Sequence, residues 1–119
     1  MMNVLVIGAS LKPERYSNKA IKMLKEYKHT VFAIGLREGD VNGVKIQKGF
    51  PKFDDIDTVT LYLNPQRQVD YYQYIIDLKP KRVIFNPGTE NDDFYMLLRE
   101  NNIKVEVACT LVLLRSNMF

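Results

Sequence analysis

Five short apolar runs alternate with segments of helical spacing, and this alternation constrains the fold more than any other feature of the sequence. Asn3–Gly8 (NVLVIG) is almost continuously apolar and stops at glycine, as does a strand covered on both faces. Thr30–Ile34 (TVFAI), Thr58–Leu63 (TVTLYL), Arg82–Phe85 and Lys104–Val107 have the same character. The first intervening segment sets Ala20, Met23, Leu24 and Tyr27 on one side and Lys19, Lys22 and Lys25 away from it; Ser17 is its expected cap and Lys28 its end. Gln66–Leu78 aligns Val69, Tyr72, Ile75 and Ile76. A third helix is expected from Asn91 or Asp92 to about Asn101, with Phe94, Leu97 and Leu98 inward. Leu36–Pro51 is irregular and glycine-punctuated, with Val44–Ile46 as a candidate extra strand. Cys109–Leu114 reads as a last half-turn or a packed tail.

Strands that alternate with helices imply βαβ crossovers and a parallel sheet. Right-handed crossovers then place helices on both faces. The expected fold is α/β: a three-layer, doubly wound, mostly parallel five-stranded sheet in one domain, residues 1–119. The length suits a single domain, and 46% hydrophobic with 26% charged residues describes an ordinary globule. The formal net charge of +3 accommodates an anionic ligand without requiring nucleic acid. The single cysteine, Cys109, excludes an internal disulfide and a Cys-rich metal site. The run Val105–Leu114 is interrupted by Glu106 and Thr110 and is too short to span a bilayer. No basic, cleavable leader opens the sequence, so a cytoplasmic location away from membranes is expected.

In a doubly wound sheet, ligands bind beyond the carboxyl ends of the strands, where the strand order reverses. Those ends are Gly8-Ala9-Ser10, Gly35-Leu36-Arg37, Asn64-Pro65, Asn86-Pro87-Gly88 and Ala108-Cys109. The first is followed by a helix, whose N-terminus presents unpaired N–H groups suited to a phosphate. Gly8 and Ala9 admit a close ligand, Ser10 and Ser17 add hydroxyls, and Lys12 and Arg15 add charge. The same residues also fit a plain strand end, polar loop and capped helix. The full G-x-G-x-x-G fingerprint is absent, as is the acidic residue that binds an unmodified ribose at the end of the second strand. Arg37 stands there instead, which suits a phosphorylated ribose or, equally, a solvated surface. Among nucleotides this points to coenzyme A or NADP rather than NAD.

The remaining polar residues carry weaker signals. Asn64-Pro65 and Asn86-Pro87-Gly88 supply no general acid or base and are common turn formers. Tyr62 and the Tyr71, Tyr72, Tyr74 group read as packing, and Asp54, Asp55 and Asp57 as a solvated loop. Glu90, Asp92 and Asp93 suit the first turn of a helix. His29 falls at the end of the sheet opposite the rim. Cys109 is either an inert, packed thiol or a partner for a cofactor thiol. No catalytic residue and no metal site is expected.

Val6-Ile7-Gly8-Ala9-Ser10 followed by Pro13-Glu14-Arg15-Tyr16-Ser17-Asn18 resembles the opening of the small CoA-binding domain proteins. These are Rossmann-like single domains similar to the N-terminal part of the succinyl-CoA synthetase α-subunit. The resemblance continues through Gly35-Leu36-Arg37-Glu38-Gly39, Leu61-Tyr62-Leu63-Asn64-Pro65, Asn86-Pro87-Gly88-Thr89-Glu90-Asn91 and Ala108-Cys109-Thr110. It implies coenzyme A on the rim, with Gly8, Ala9 and Ser10 along the phosphate or pantetheine path and Arg15 and Ser17 close by. It implies Arg37 facing the ribose phosphate, Asn64 and Pro65 bordering the nucleotide, and Asn86, Pro87 and Gly88 beside the pantetheine arm. The turn at Arg37 lacks the proline common in the family. The synthetase's phosphorylated histidine belongs to another domain, so ligase activity is not implied.

The leading expectation is a non-catalytic module that binds coenzyme A or an acyl-CoA. An NADP-dependent oxidoreductase is one alternative. A nucleotide-binding regulatory or interaction subunit, acting as a homo-oligomer, is another.

Overall fold

The computed structural model describes residues 1–119. Strand β1 (Asn3–Ala9) is followed by helix α1 (Tyr16–Glu26), β2 (Thr30–Gly35), β3 (Gly39–Val41), β4 (Val44–Gln47) and β5 (Thr58–Leu61). Then come α2 (Pro65–Gln68), a 3-10 turn (Val69–Tyr71), α3 (Tyr72–Leu78), β6 (Arg82–Phe85), α4 (Asp92–Glu100), β7 (Lys104–Val107) and α5 (Thr110–Arg115). The sheet order is β3-β4-β2-β1-β5-β6-β7, and every neighbouring pair is parallel except β3 with β4. The chain winds outward from β1 in one direction and then returns to continue in the other. The strand order therefore reverses between β1 and β5, which fixes where a ligand would be sought.

The alternation along each strand divides the core in two. Leu5, Ile7, Val59, Leu61, Val83 and Phe85 face the layer that contains Ile75 of α3 and Phe94 and Leu98 of α4. Val4, Val6, Ala33 and Ile46 face Ile21 and Leu24 of α1 and Leu114 of α5. Leu5, Val6 and Ile7 are all fully buried because both faces of β1 are covered. Each large apolar side chain so buried contributes roughly 1.5–3 kcal/mol relative to exposure.

The sheet has seven strands rather than the expected five. The glycine-punctuated stretch is a hairpin, with Val44–Gln47 joining β2 and Gly39–Val41 pairing back on it. Asn42 and Gly43 make the turn at φ 50° and 84°, and the Asp40 carboxylate accepts the Gly43 N–H at 2.9 Å. The repeated glycines thus marked a turn, not an absence of regular structure.

Three helix readings also change. Ser17 is not the cap of α1: Arg15 holds that position, and Ser17 is a buried residue of the first turn. The helix expected over Gln66–Leu78 is broken into α2, the 3-10 turn and α3, and Val69 is 57% exposed. Gln68 takes the inward position instead, fully buried, with its amide tied to the chain. Cys109–Leu114 belongs mainly to a helix, α5, which begins at Thr110. The third main strand stops at Leu61, and Asn91 caps α4 by accepting the Phe94 N–H at 3.3 Å.

Candidate functional site

The site is built where β1 ends against β5 and β2. Gly8 has φ +94°, and a Cβ there would stand 2.9 Å from the Tyr62 carbonyl carbon. A Cβ on Gly35 would stand 2.4 Å from the Ala9 carbonyl oxygen. Both glycines let three chain segments meet closely at their carboxyl ends, so Gly8 has a packing reason independent of any ligand. Ala9 is buried between the two contacts. Beyond it, the Ser10 hydroxyl accepts the Lys12 N–H at 3.1 Å, and the Lys12 carbonyl accepts the Arg15 N–H at 3.1 Å. These bonds turn the loop back towards α1.

Helix α1 then opens with no side-chain cap and no acidic residue in its first turn. The N–H groups of Tyr16, Ser17 and Asn18 have no acceptor within the chain. Exposed Lys12, Arg15 and Lys19 surround this end. Unpaired donors, the helix dipole and flanking cations together suit an anion. Helix α5 also opens on the rim without a side-chain cap or an acid, but its first N–H, that of Thr110, is taken by Asn86 Oδ1 at 2.8 Å; α2 and α4 differ further. Asn64 caps α2 by accepting the Arg67 N–H at 2.9 Å, and α4 carries an Asn91 cap together with Asp92 and Asp93.

Asn18 adds a second feature. It is 2% exposed, and its Nδ2 donates to the Ser10 carbonyl at 2.9 Å. The carbonyl acceptor fixes which end of the amide faces it, so Oδ1 is the remaining atom, and Oδ1 has no partner. A buried acceptor without a donor is costly. The loop that a ligand would approach therefore holds unmatched donors and one unmatched acceptor.

The other expected residues fall on the same rim but in different roles. Arg37 is exposed between β2 and β3 and has no acidic partner in the chain. Asn64 is engaged as the α2 cap, and Pro65 is the first residue of that helix, where a missing N–H is harmless. Asn86 is 2% exposed and fully engaged. Its Nδ2 donates to Thr60 Oγ1 at 2.7 Å and to the Leu61 carbonyl at 2.9 Å, while its Oδ1 accepts the Thr110 N–H at 2.8 Å. Its side chain thus ties β5, β6 and the start of α5 together and has no group left for a ligand. Pro87 and Gly88 are exposed. Gly88 has φ +92°, its N–H donates to Glu90 at 2.8 Å, and a Cβ there would meet nothing. It is glycine for its backbone conformation, not for close packing.

A polar frame under the rim was not legible in the sequence. The Gln68 amide donates to the carbonyls of Leu63 at 2.8 Å and Thr89 at 2.7 Å, and its oxygen accepts from Asn91 at 2.9 Å. The Thr60 and Thr110 hydroxyls share a bond of 2.8 Å. The only advance sign of Gln68 was a polar residue directly beside an apolar stripe. Beside this frame, burial raises the Tyr62 hydroxyl pKa to about 12, against the opposing influence of the nearby Thr110 and Thr60 hydroxyls. That hydroxyl has no hydrogen bond of normal geometry.

Cys109 is half-buried and stands just before α5, at the carboxyl end of β7. His29 lies at the opposite end of the sheet, where Nδ1 accepts the Met2 N–H at 3.1 Å and the ring packs 5.1 Å from Phe119. Burial, then the positive N-terminus and Arg82, lower its pKa. No three His, Cys, Asp or Glu side chains converge on a point that would hold a metal ion. No helix is long and apolar enough to cross a membrane.

Two recesses, of about 400 and 440 Å³, lie at the amino ends of the strands. One is bounded by Asp77, Pro80 and Asn102, the other by Asp57, Arg82 and Lys104. They are shaped by strand starts and helix ends, with no uncapped helix N-terminus aimed into them.

Known structures share this architecture. A crystal structure of an uncharacterized protein is 44% identical, with a TM-score of 0.97, over 100% of this chain and 98% of that one. A hypothetical protein from Pyrococcus horikoshii OT3 is 26% identical, with a TM-score of 0.84, over 97% of this chain and 82% of that one. A dinucleotide-forming acetyl-coenzyme A synthetase 1 from Ca. Korarchaeum cryptofilum shares the fold at 16% identity and a TM-score of 0.73. That likeness covers 87% of this chain and 25% of the synthetase. No curated protein matches the sequence. The family model of the CoA binding domain matches residues 2–115, and the chain belongs to that Rossmann-like family.

Proposed function

We propose that this protein is a binding module that holds coenzyme A or an acyl-CoA along the carboxyl-end rim and performs no chemistry of its own. The observation that carries this reading is the unsatisfied start of α1: three free N–H groups, no side-chain cap and no acidic residue in the first turn. A diphosphate would accept from those donors without displacing any internal bond. Gly8, Ala9 and Ser10 would lie along the ligand path, with Arg15 beside the phosphates. Ser17 would contribute its backbone N–H, since its side chain is buried. Arg37, exposed and unpaired, would face the ribose phosphate. Asn64 and Pro65 would border the nucleotide, and Pro87 and Gly88 the pantetheine arm. Asn86 would act from beneath by fixing the strand ends that present these groups.

NADP is the second reading, because Arg37 would suit its ribose phosphate equally well. The single glycine of the β1–α1 loop weighs against it, since a dinucleotide fingerprint carries three. Thermal melts with coenzyme A, NADPH, NADH and ATP separate the two. A ligand specific to the folded state adds ~2.7 kcal/mol at ~100 times its Kd. Coenzyme A is expected to raise the melting temperature and NADPH to leave it unchanged. A shift with NADPH alone overturns the proposal.

A further inference from the structure

We propose that the free edge of β7 is a self-association surface, on which two copies of the chain pair antiparallel about a two-fold axis through Val105. The proposal is independent of the coenzyme A reading.

Strand β7 ends the sheet and is paired on one side only, with β6. The Lys104 N–H donates to the Lys81 carbonyl at 3.1 Å, and the Ala108 N–H to the Phe85 carbonyl at 3.2 Å. Amides alternate in direction along a strand, so Lys104, Glu106 and Ala108 address β6 while Val105 and Val107 address the open side. No group of the chain pairs with those outward amides. The edge has no proline and no bulge, its register with β6 is unbroken, and Val107 is 56% exposed. Natural edges are usually guarded by one of these devices or by a covering segment. The other edge of the sheet is guarded: it ends in the three-residue β3, folded back as a hairpin.

Charge selects the partner and the register. An axis through Glu106 would set that carboxylate against its own copy, which repels. An axis through Val105 aligns the outward amides of the two Val105 residues and sets each Lys104 against the partner's Glu106. Such directly opposed residues in the non-hydrogen-bonded position are the closest cross-strand neighbours. Both side chains are available for this pairing. Lys104 is exposed and has no acidic partner in its own chain. Glu106 uses Oε1 to accept from Arg82 at 2.9 Å and leaves Oε2 without a partner. Opposed pairs of opposite charge occur twice because the axis duplicates them.

Sedimentation equilibrium of the full chain across a wide concentration range tests the proposal. The mass should rise from 13.9 kDa towards twice that value. Lys104→Glu converts both attractive pairs into repulsive ones and should weaken the dimer by about tenfold or more. Val105→Pro removes an outward N–H that the chain itself does not use and should abolish dimerisation. A thermal melt checks that each variant is folded; if Val105→Pro is not, Lys104→Glu decides alone, because its side chain is exposed. A single-chain mass at every concentration overturns the proposal. So does a dimer that a folded variant leaves unchanged.

Discussion

Gly8 and Tyr62 touch backbone to backbone at the point where the strand order reverses: a Cβ on Gly8 would lie 2.9 Å from the Tyr62 carbonyl carbon. The φ of +94° at Gly8 independently disfavours any side chain. Gly8→Ala should therefore lower the unfolding free energy by about 2 kcal/mol or more in urea titration. An unchanged midpoint would show that β1 and β5 can separate without cost.

The start of α1 makes a prediction with opposite signs for stability and binding. Tyr16 is the first helical residue and is 68% exposed. Tyr16→Asp places a negative charge beside three free N–H groups. It should stabilise the free protein by about 0.3–1 kcal/mol through the helix dipole. It should weaken coenzyme A, whose diphosphate seeks the same donors. Calorimetry showing unchanged affinity would remove the helix start from the site.

Arg37 should distinguish ligands by their ribose. Arg37→Ala is expected to cost coenzyme A about 1.5–3 kcal/mol if the contact is charge-assisted and shielded. Dephospho-coenzyme A should lose much less. Equal losses in parallel titrations would mean that Arg37 does not read the phosphate.

The Tyr62 hydroxyl ties stability to alkaline pH. Its folded pKa is raised from 10 to about 12, chiefly by burial. Its contribution is fully present below pH 10 and is lost as pH rises through about 12, because the unfolded chain releases that proton first. Denaturation between these values should show stability falling with pH, and Tyr62→Phe should flatten the slope. An identical slope in the variant would assign the loss to other groups, such as Tyr74, whose pKa is raised in the same way.

Strand positions and the rim were legible because doubly covered strands such as Asn3–Ala9 are written as apolar runs that end in glycine or Asn-Pro. The β3–β4 hairpin was only half legible: its strands are short, and Asn42-Gly43 was lost among other glycines. Side-chain duties were the least legible. Asn86 has the appearance of a ligand-facing turn residue, yet its two donors and its oxygen are bound within the fold. Gln68 gave only the faint sign of a polar residue beside an apolar stripe and Asn18 gave none, since their significance comes from carbonyls that the chain brings to them from Leu63, Thr89 and Ser10. Local pattern encodes burial and backbone direction; which polar groups remain unsatisfied is decided only by tertiary contacts.

Amide chemical shifts recorded while coenzyme A is added to the isotopically labelled protein show whether the rim is the binding site. If it is, saturable changes appear at Gly8–Ser10, Arg15–Asn18, Leu36–Arg37, Asn64 and Gly88, and the amino ends of the strands stay silent. Saturable changes confined to the recess at Asp57, Lys81 and Lys104, or none at all, would contradict the rim site.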